Sequence, residues 1–420
     1  MQVYLLAMKP TDSVGRGFLP AARRLGLRLT LLTDRPDAYR EHGTGTAVRG
    51  PADSAPGEEP EDEVRWDGVE VLRCDVGDAR AVIGRISAHR APDAVFTNSD
   101  HLQTQAALAA SYFGLPAKDW RAALRTKDKA EMRRHLAASG ADTVWSAEIA
   151  PDDAVAARLR TLEVPYPCVV KPREGVASED VYLAEDAAGL ARRCEEIRAR
   201  RPGAALVVEE YLPGTLYTLE TVGDADDLRP LGGFCTLLSP PPHFVERRMT
   251  YVPRHPEPVT GAVLSQLRSL GVGLGACHTE FVVHEGRARI IEVNYRAVGD
   301  HGDLLLAELL GVPLFERVLE LHLGAPLSDG LRPNDGAAAR IDYVCAERAG
   351  VLTSAPAAVD ENTAGLRLAY RPLRPTGERH DLHHTNRDYL GILRTLGPDQ
   401  PSVDRAADRF LSSHRWEITE

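Results

Sequence analysis

The chain of 420 residues is short of the features that would place it quickly. It has only six cysteines, at 74, 168, 194, 235, 277 and 345, without the close pairs of a zinc site or the density of a disulfide scaffold. Cys168 and Cys277 fall in apolar, strand-like runs and are expected as buried thiols. No apolar run approaches the roughly 20 residues that span a bilayer. The N-terminus enters Val3-Tyr4-Leu5-Leu6-Ala7 directly, without the basic stretch and long apolar core of an export signal. No membrane contact and a cytoplasmic location are therefore expected. An excess of positive charge is missing too: a net charge of -11 provides no basic face to displace counterions, so no nucleic-acid partner is expected.

What the chain does have is enough apolar and charged residues, 43% and 26%, for two or three ordinary domains. Apolar runs at Val3 to Ala7, Arg28 to Leu32, Val69 to Leu72 and Ala94 to Thr97 alternate with helical patterns at Phe18 to Leu25, Ala79 to His89 and His101 to Phe113. That alternation predicts a parallel α/β sheet. Gly15-Arg16-Gly17 reads as a turn before the first helix, and His42 to Glu63, rich in Gly, Pro and acid, as a long surface loop. Asp34 and Asp100 follow two of the strands, at the edge where open α/β sheets bind ligands, although capping a turn or helix would also explain them. Gly114-Leu115-Pro116 breaks the pattern. Beyond it, an amphipathic helix opened by Arg125 to Arg134 is expected to end at Gly140.

Two β-prone runs, Cys277 to His284 and Arg287 to Arg296, are joined by a turn at Glu285-Gly286. Side chains two apart in a strand share a face, so Glu292, Asn294 and Arg296 point the same way, and a hairpin would bring Glu280 near them. Two carboxylates and an amide oxygen suit Mg²⁺. The same alternation also describes a plain solvated sheet face. His278 is expected to point away from the metal and to act beside the ligands. Upstream, Tyr166 to Pro172 is a buried-looking strand ending on Lys171, followed by a turn-rich loop from Arg173 to Val181 with Gly175 and Ser178. A lysine leaving an apolar strand beside small residues makes a phosphate clamp. Leu206 to Leu212 is a further strand whose backbone could meet a purine edge.

Taken in order, Lys129 in Asp-Lys, Lys171 in Val-Val-Lys-Pro-x-x-Gly, Val208-Glu209-Glu210-Tyr211-Leu212-Pro213-Gly214, His278-Thr279-Glu280 and Ile291-Glu292-Val293-Asn294-Tyr295-Arg296 together resemble the ATP-grasp superfamily. The likeness covers about 121–323 directly. It is nearest in general to carboxylate-amine ligases of the L-amino acid ligase type. The Asn-Tyr-Arg-x-x-Gly-Asp-His form is similar to members of siderophore and other natural-product pathways. The resemblance implies an α/β ATP-grasp fold, α+β in its nucleotide part. An N-terminal parallel α/β domain at 1–115 would precede the ATP-grasp domain at 116–328, whose central lobe is about 130–213 and metal-binding part about 214–328; a small C-terminal lobe would fill 329–420.

The resemblance also implies roles. ATP and Mg²⁺ would be the cofactors, with Mn²⁺ a workable substitute. Lys129 and Lys171 would hold the phosphates under the Gly175 and Ser178 loop, and Glu209, Glu210, Tyr211 and Leu212 would lie along the adenine. Glu280, Glu292 and Asn294 would hold the metal. Arg296, assisted by the Gly299 N–H, would steady a carboxylate while the γ-phosphoryl group is moved onto it. An amine would then displace phosphate to leave an amide, so the partners expected are a small carboxylate and a small amine; a homodimer stays open. A thiol or hydroxyl nucleophile, or a non-catalytic nucleotide sensor, are the alternatives.

The departures from that pattern are specific. Leu216 stands where the family carries an acid for the ribose; either Glu220 or another group substitutes, or the ribose is held less tightly, which leaves the nucleotide preference open. Ala177 and Asp180 stand where glycines are common, implying a stiffer loop and a need to neutralise Asp180. His243, Glu246 and Arg247 in the Pro-rich Ser239 to Arg248 segment, and Asp300 and His301 after Arg296, are the candidate substrate residues. An exposed loop and a helix cap are the plainer readings of the two groups. Ala337 to Cys345 and Arg387 to Thr395 read as strands and Arg405 to Leu411 as a last helix. His380, His383 and His384 beside Asp381 read as an exposed loop rather than a metal cluster.

Overall fold

The computed structural model describes residues 1–41, 63–363 and 365–420. Of the segment expected as a long loop, His42 to Glu63, residues 42–62 lie outside the described residues, and Glu63 begins a strand instead. Among those described, no helix is long and apolar enough to cross a membrane.

The N-terminal apolar runs form β1 (Gln2–Leu6), β2 (Arg28–Thr33), β3 (Glu63–Trp66), β4 (Val69–Arg73) and β5 (Ala94–Thr97), in the order β3-β4-β2-β1-β5. β1, β2, β4 and β5 pair in parallel, as the strand and helix alternation predicts, and β3 adds an antiparallel edge. Successive strands run outward from β1 on one side and β5 lies on the other, so the strand order reverses between β1 and β5. In an open parallel sheet a ligand crevice forms there. The loops leaving both strands do line the central cavity, at 7–14 and 98–101. Asp34 follows β2, one strand away from the reversal, and lies outside the cavity; Asp100 lies within it.

In place of the expected Gly15-Arg16-Gly17 turn, Ser13–Phe18 forms a single π-helical turn that runs on into the helix Leu19–Arg24. Gly17 is needed here, because a Cβ would collide with the ring of Phe315. The contact seats this domain on the helix Leu314–His322, with Phe18 packed edge-on against Phe315 at 5.0 Å. The single helix expected through Lys129 is two helices, Trp120–Lys127 and Lys129–Ala138. Asp128 breaks them, in extended geometry, with its carboxylate accepting the N–H groups of Ala130 and Glu131. An N-cap of this kind satisfies two of the helix's orphan donors and sets Lys129 at its first turn.

Two antiparallel sheets follow. The smaller contains β6 (Ser146–Ile149), β7 (Cys168–Pro172), β8 (Tyr182–Ala184) and β9 (Leu206–Glu210), ordered β6-β9-β7-β8. It has its own core, in which Cys168, Val170, Leu206 and Val208 pack on Leu190, Cys194 and Ile197 of the helix Ala187–Arg200. The larger starts with β10 (Leu216–Gly223), β11 (Leu228–Pro230), β12 (Gly233–Leu238), β13 (Glu246–Val252), β14 (Gly275–His284) and β15 (Arg287–Asn294). It continues without interruption into β16 (Ala338–Cys345), paired to β13. After β17 (Gly350–Ser354) come β18 (Val359–Thr363) and β19 (Leu366–Pro372); β20 (Arg379–His380), β21 (Tyr389–Gly397) and β22 (Glu417–Thr419) complete the strands. β21, β19 and β18 extend the large sheet, while β20, β17 and β22 form a small one. The C-terminal strands are thus hydrogen-bonded into the sheet that carries the Glu-Asn-Arg hairpin, which puts β16 and β21 within reach of the cavity.

Candidate functional site

One cavity of about 1100 Å³ lies between the three sheets, large enough for a nucleotide together with small substrates. Its metal-facing wall is the β14–β15 hairpin. The turn Glu285-Gly286 has φ of 51° and 73°, the left-handed pair a two-residue hairpin requires. The register then sets Glu280 directly opposite Glu292 and His278 opposite Asn294. The expectation that His278 points away is corrected. Positions 278 and 280 are two apart on β14 and share a face, and His278 Nε2 stands 3.5 Å from Glu280 Oε1. Its Nδ1 is 2.7 Å from Glu220 Oε1. Burial disfavours the imidazolium, but Glu220 and Glu280 outweigh it and raise the pKa to about 10.

Asn294 is oriented with its amide nitrogen 3.2 Å from both oxygens of Asp100, which turns its oxygen away from that carboxylate. Two opposed carboxylates and an amide oxygen on neighbouring strands therefore fit Mg²⁺, with phosphate and water completing the shell. Among the described residues no group of three or more His, Cys, Asp or Glu side chains is placed to hold a metal ion by itself.

Two lysines line the same cavity. Lys129 Nζ lies 3.0 Å from Glu292 Oε1 and 3.4 Å from the Gly175 carbonyl. Lys171, at the end of β7, lies 2.8 Å from Glu209 Oε2. Both lysines are buried. Glu209 also accepts Arg133 Nε and Nη2 at 2.9 and 3.0 Å. Burial alone would raise the Glu209 pKa, but Arg133 and Lys171 lower it to about 2. Its carboxylate thus positions Lys171 and is not free to lie along a base. Glu210 is engaged as well, accepting the Trp145 N–H at 2.9 Å and lying 3.2 Å from Arg289. Tyr211 and Leu212 line the cavity beside Leu216. Glu220 is buried against Thr218 and His278, outside the cavity lining, so it does not take the place of the missing acid at Leu216.

Gly175 and Ser178 lie in the loop over the lysines. Ala177, Ser178 and Asp180 there have φ of 58°, 55° and 58°, conformations that side chains disfavour. Asp180 finds its neutralising partners outside the cavity, in Arg200 at 2.7 Å and Arg201 at 2.6 Å. The loop is tied to the C-terminal lobe by the Asn386 N–H on the Ala177 carbonyl, 3.2 Å, and by the ion pair of Arg387 with Glu179.

Arg296 completes the constellation. Its Nε and Nη2 donate to Asp100 Oδ2 at 2.8 and 2.6 Å, and Nη1 to the Ala297 carbonyl at 2.8 Å. Two of the five guanidinium N–H donors remain for a substrate. Gly299 lies against Arg296, where a Cβ would stand 3.4 Å from Nη1. Of the candidate substrate residues, Glu246, Asp300 and His301 line the cavity. His243 and Arg247 do not: His243 stacks on His384 at 4.4 Å, and Arg247 turns to Cys345. His301 is bonded to Asp12 of the N-terminal domain at 2.6 Å. Burial, together with Glu280 and Asp300, raises the Glu246 pKa to about 8. His380, expected in an exposed loop, is buried and 3.0 Å from Asp388. Sequence reasoning missed Asp12, Tyr343 and Tyr389, which also line the cavity. No local motif marks them.

Three comparisons bear on this geometry. Residues 164–303 match the ATP-grasp domain family. The chain is 27% identical over its whole length to an uncharacterized protein, y4rH, of Sinorhizobium fredii (strain NBRC 101917 / NGR234), covering 84% of it. It is 29% identical over 180 residues, 40% of this chain, to the D-alanine--D-alanine ligase of Anaeromyxobacter sp. (strain Fw109-5), and spans 56% of that protein. Its fold superposes on the L-amino acid ligase of Bacillus licheniformis with a TM-score of 0.76 at 19% identity, covering 100% of this chain and 99% of the other. The matched segment holds Lys171, Glu209, Glu280, Glu292, Asn294 and Arg296, and the structure gathers them around one cavity. Residues 164–303 of this chain are thus an ATP-grasp domain.

Proposed function

We propose that this protein is an ATP-dependent carboxylate-amine ligase. The observation that carries the reading is the gathering of Lys129 and Lys171 with Glu280, Glu292, Asn294 and Arg296 around a single cavity, Lys129 reaching Glu292 at 3.0 Å. Lys129 and Lys171 bind the phosphates of ATP, and Arg133 and Glu209 keep the Lys171 ammonium aimed. Glu280, Glu292 and Asn294 would hold Mg²⁺, which when bound would supply positive charge beside the phosphates. Arg296 orients the substrate carboxylate with its two remaining donors. The 173–181 loop, fastened to Asn386 and Arg387, keeps water from the acyl phosphate until the amine attacks.

The resemblance of Asn294-Tyr295-Arg296 and the Gly299 to His301 segment to natural-product ligases supports a biosynthetic setting, and dependence on ATP supports a cytoplasmic one. The test is a phosphate-release screen of amino acids and hydroxy acids, singly and in pairs, with Mg²⁺ and ATP. Release that depends on a carboxylate and an amine together, with a product mass of their sum less water, is expected. Release with thiols or alcohols only, or no release with any pair, would sink the reading.

A further inference from the structure

The acids lining the cavity are not equivalent. Nine line it, and seven are ion-paired: Asp100 to Arg296, Glu292 to Lys129 and Asp12 to His301 and Arg371, with Glu179, Glu209, Glu210 and Glu280 likewise partnered. Glu246 and Asp300 are the two exceptions; among the described residues neither carboxylate has an ion-pair or hydrogen-bond partner. Two like charges facing one space repel each other, and the cost is removed either by a proton on one of them or by a cation placed between them.

A second observation points to the same place. Tyr389, on β21, is 4% exposed, and its hydroxyl has no hydrogen-bond partner. Buried hydroxyls are almost always bonded, so an orphan on a residue of the cavity wall is an unmet bond that a ligand can complete. After burial itself, Glu246 is the first of the neighbours, with Asp300 also among them, that hold this phenol protonated. The ring is fixed by parallel stacking on Tyr343 at 4.5 Å, and Tyr343 is held by hydrogen bonds to the Asp300 carbonyl at 3.3 Å and to the Met249 sulfur at 3.1 Å. Asp300 has φ of 48°, which a non-glycine residue adopts only where its surroundings impose it.

We propose that Glu246, Asp300 and Tyr389 form a subsite for a primary ammonium group of a substrate, with the C-terminal lobe supplying the phenol. The inference rests on the ligase reading and names the chemistry one substrate must carry. An ammonium offers three N–H donors, and two carboxylates with one phenol oxygen offer three acceptors. The ammonium can belong to the carboxylate donor or to the amine acceptor; both present the same group.

Thermal shift of the full-length protein with Mg²⁺ and ADP against the twenty common amino acids selects a binder. Calorimetry then compares that amino acid with its des-amino analogue on wild type, Glu246→Gln, Asp300→Asn and Tyr389→Phe, none of which needs turnover. Expected is a loss of amino-acid affinity of about 10- to 100-fold for each carboxylate variant and several-fold for Tyr389→Phe. The des-amino analogue should bind wild type and variants alike, and ADP affinity should stay within about twofold.

Initial rates with a productive pair assign the source. A rise in KM for the carboxylate substrate places the ammonium on the donor, and a rise for the amine alone places it on the acceptor; both uphold the subsite. Equal affinity of wild type and variants for the amino acid, no binding by any of the twenty, or loss of a Mn²⁺ equivalent in place of amino-acid affinity would overturn it. Ammonium-dependent binding without phosphate release from any pair would instead overturn the ligase reading and leave the subsite standing.

Discussion

The two ends of the cavity are built on opposite electrostatic plans. At the phosphate end every charge arrives already matched: Lys129 with Glu292, and Lys171 and Arg133 with Glu209. At the substrate end Glu246 and Asp300 stand unmatched beside an unbonded phenol. Matched charges can be buried without the ligand, so the phosphate end is preorganised and contributes to folding as well as binding. Unmatched acids without a ligand are tolerated by taking up a proton, as the raised Glu246 pKa indicates, and a cationic ligand can take the proton's place. The difference implies that the phosphate end is tuned for constancy and the other end for selection.

The comparison breaks most visibly at the phosphate end. Lys171→Ala or Glu292→Ala should lower kcat/KM by roughly 10³-fold while far-ultraviolet circular dichroism stays native. Retention of more than about a tenth of wild-type activity would show that these groups do not act on the transferred phosphoryl.

The next effect concerns folding. Glu209 has a folded pKa near 2 against an ordinary 4.5, so the stability it contributes is present above the ordinary value and is lost as pH falls through that range. The contribution is on the order of 3 kcal/mol. Denaturant midpoints measured between pH 6 and pH 2.5 should fall steeply for wild type and more gently for Glu209→Gln. Parallel curves would mean that the pairs at this end do not serve the fold.

A smaller effect tests whether the ends communicate. Arg387→Ala removes the ion pair that ties the phosphate loop to the C-terminal lobe, and should raise the KM for ATP about 3- to 10-fold with little change in the KM for the carboxylate. Equal changes in both would mean the loop closes the cavity as one unit. Smallest of all, Ala177→Gly relieves a left-handed φ of 58° and should stabilise the fold by about 0.5–1 kcal/mol, read as a rise in melting temperature. A fall would show that the strained loop is held for packing.

Legibility followed the same division. Glu280, Glu292, Asn294 and Arg296 could be gathered from the sequence because a period of two and a two-residue turn decide which side chains share a face. The same rule, applied to positions 278 and 280, would also have turned His278 toward Glu280. The helix break at Asp128 went unread: one helix was expected from Arg125 to Gly140, because an aspartate within a charged run passes for helix surface until its carboxylate is seen to accept the Ala130 and Glu131 N–H groups. Tyr343 and Tyr389 were not visible: each sits in an ordinary apolar strand, and nothing local separates a core tyrosine from one facing a cavity. Glu246 could be named but not told apart from His243 and Arg247, because the bends of a Pro-rich approach hide the face.

The amino-acid sequence by itself determined the hairpin, the lysine at the end of β7 and the parallel strands of the N-terminal sheet. All of these depend on side chains within a few residues of one another, where backbone geometry is nearly fixed. Only the tertiary structure decided that Asp100 grips Arg296 across 196 residues of chain, that Asp12 meets His301, and that β16 and β21 carry two tyrosines to the acids at the substrate end. Those contacts follow from which sheet edges meet once the separate cores pack. That outcome is set by the total apolar surface buried, not by any local pattern of residues.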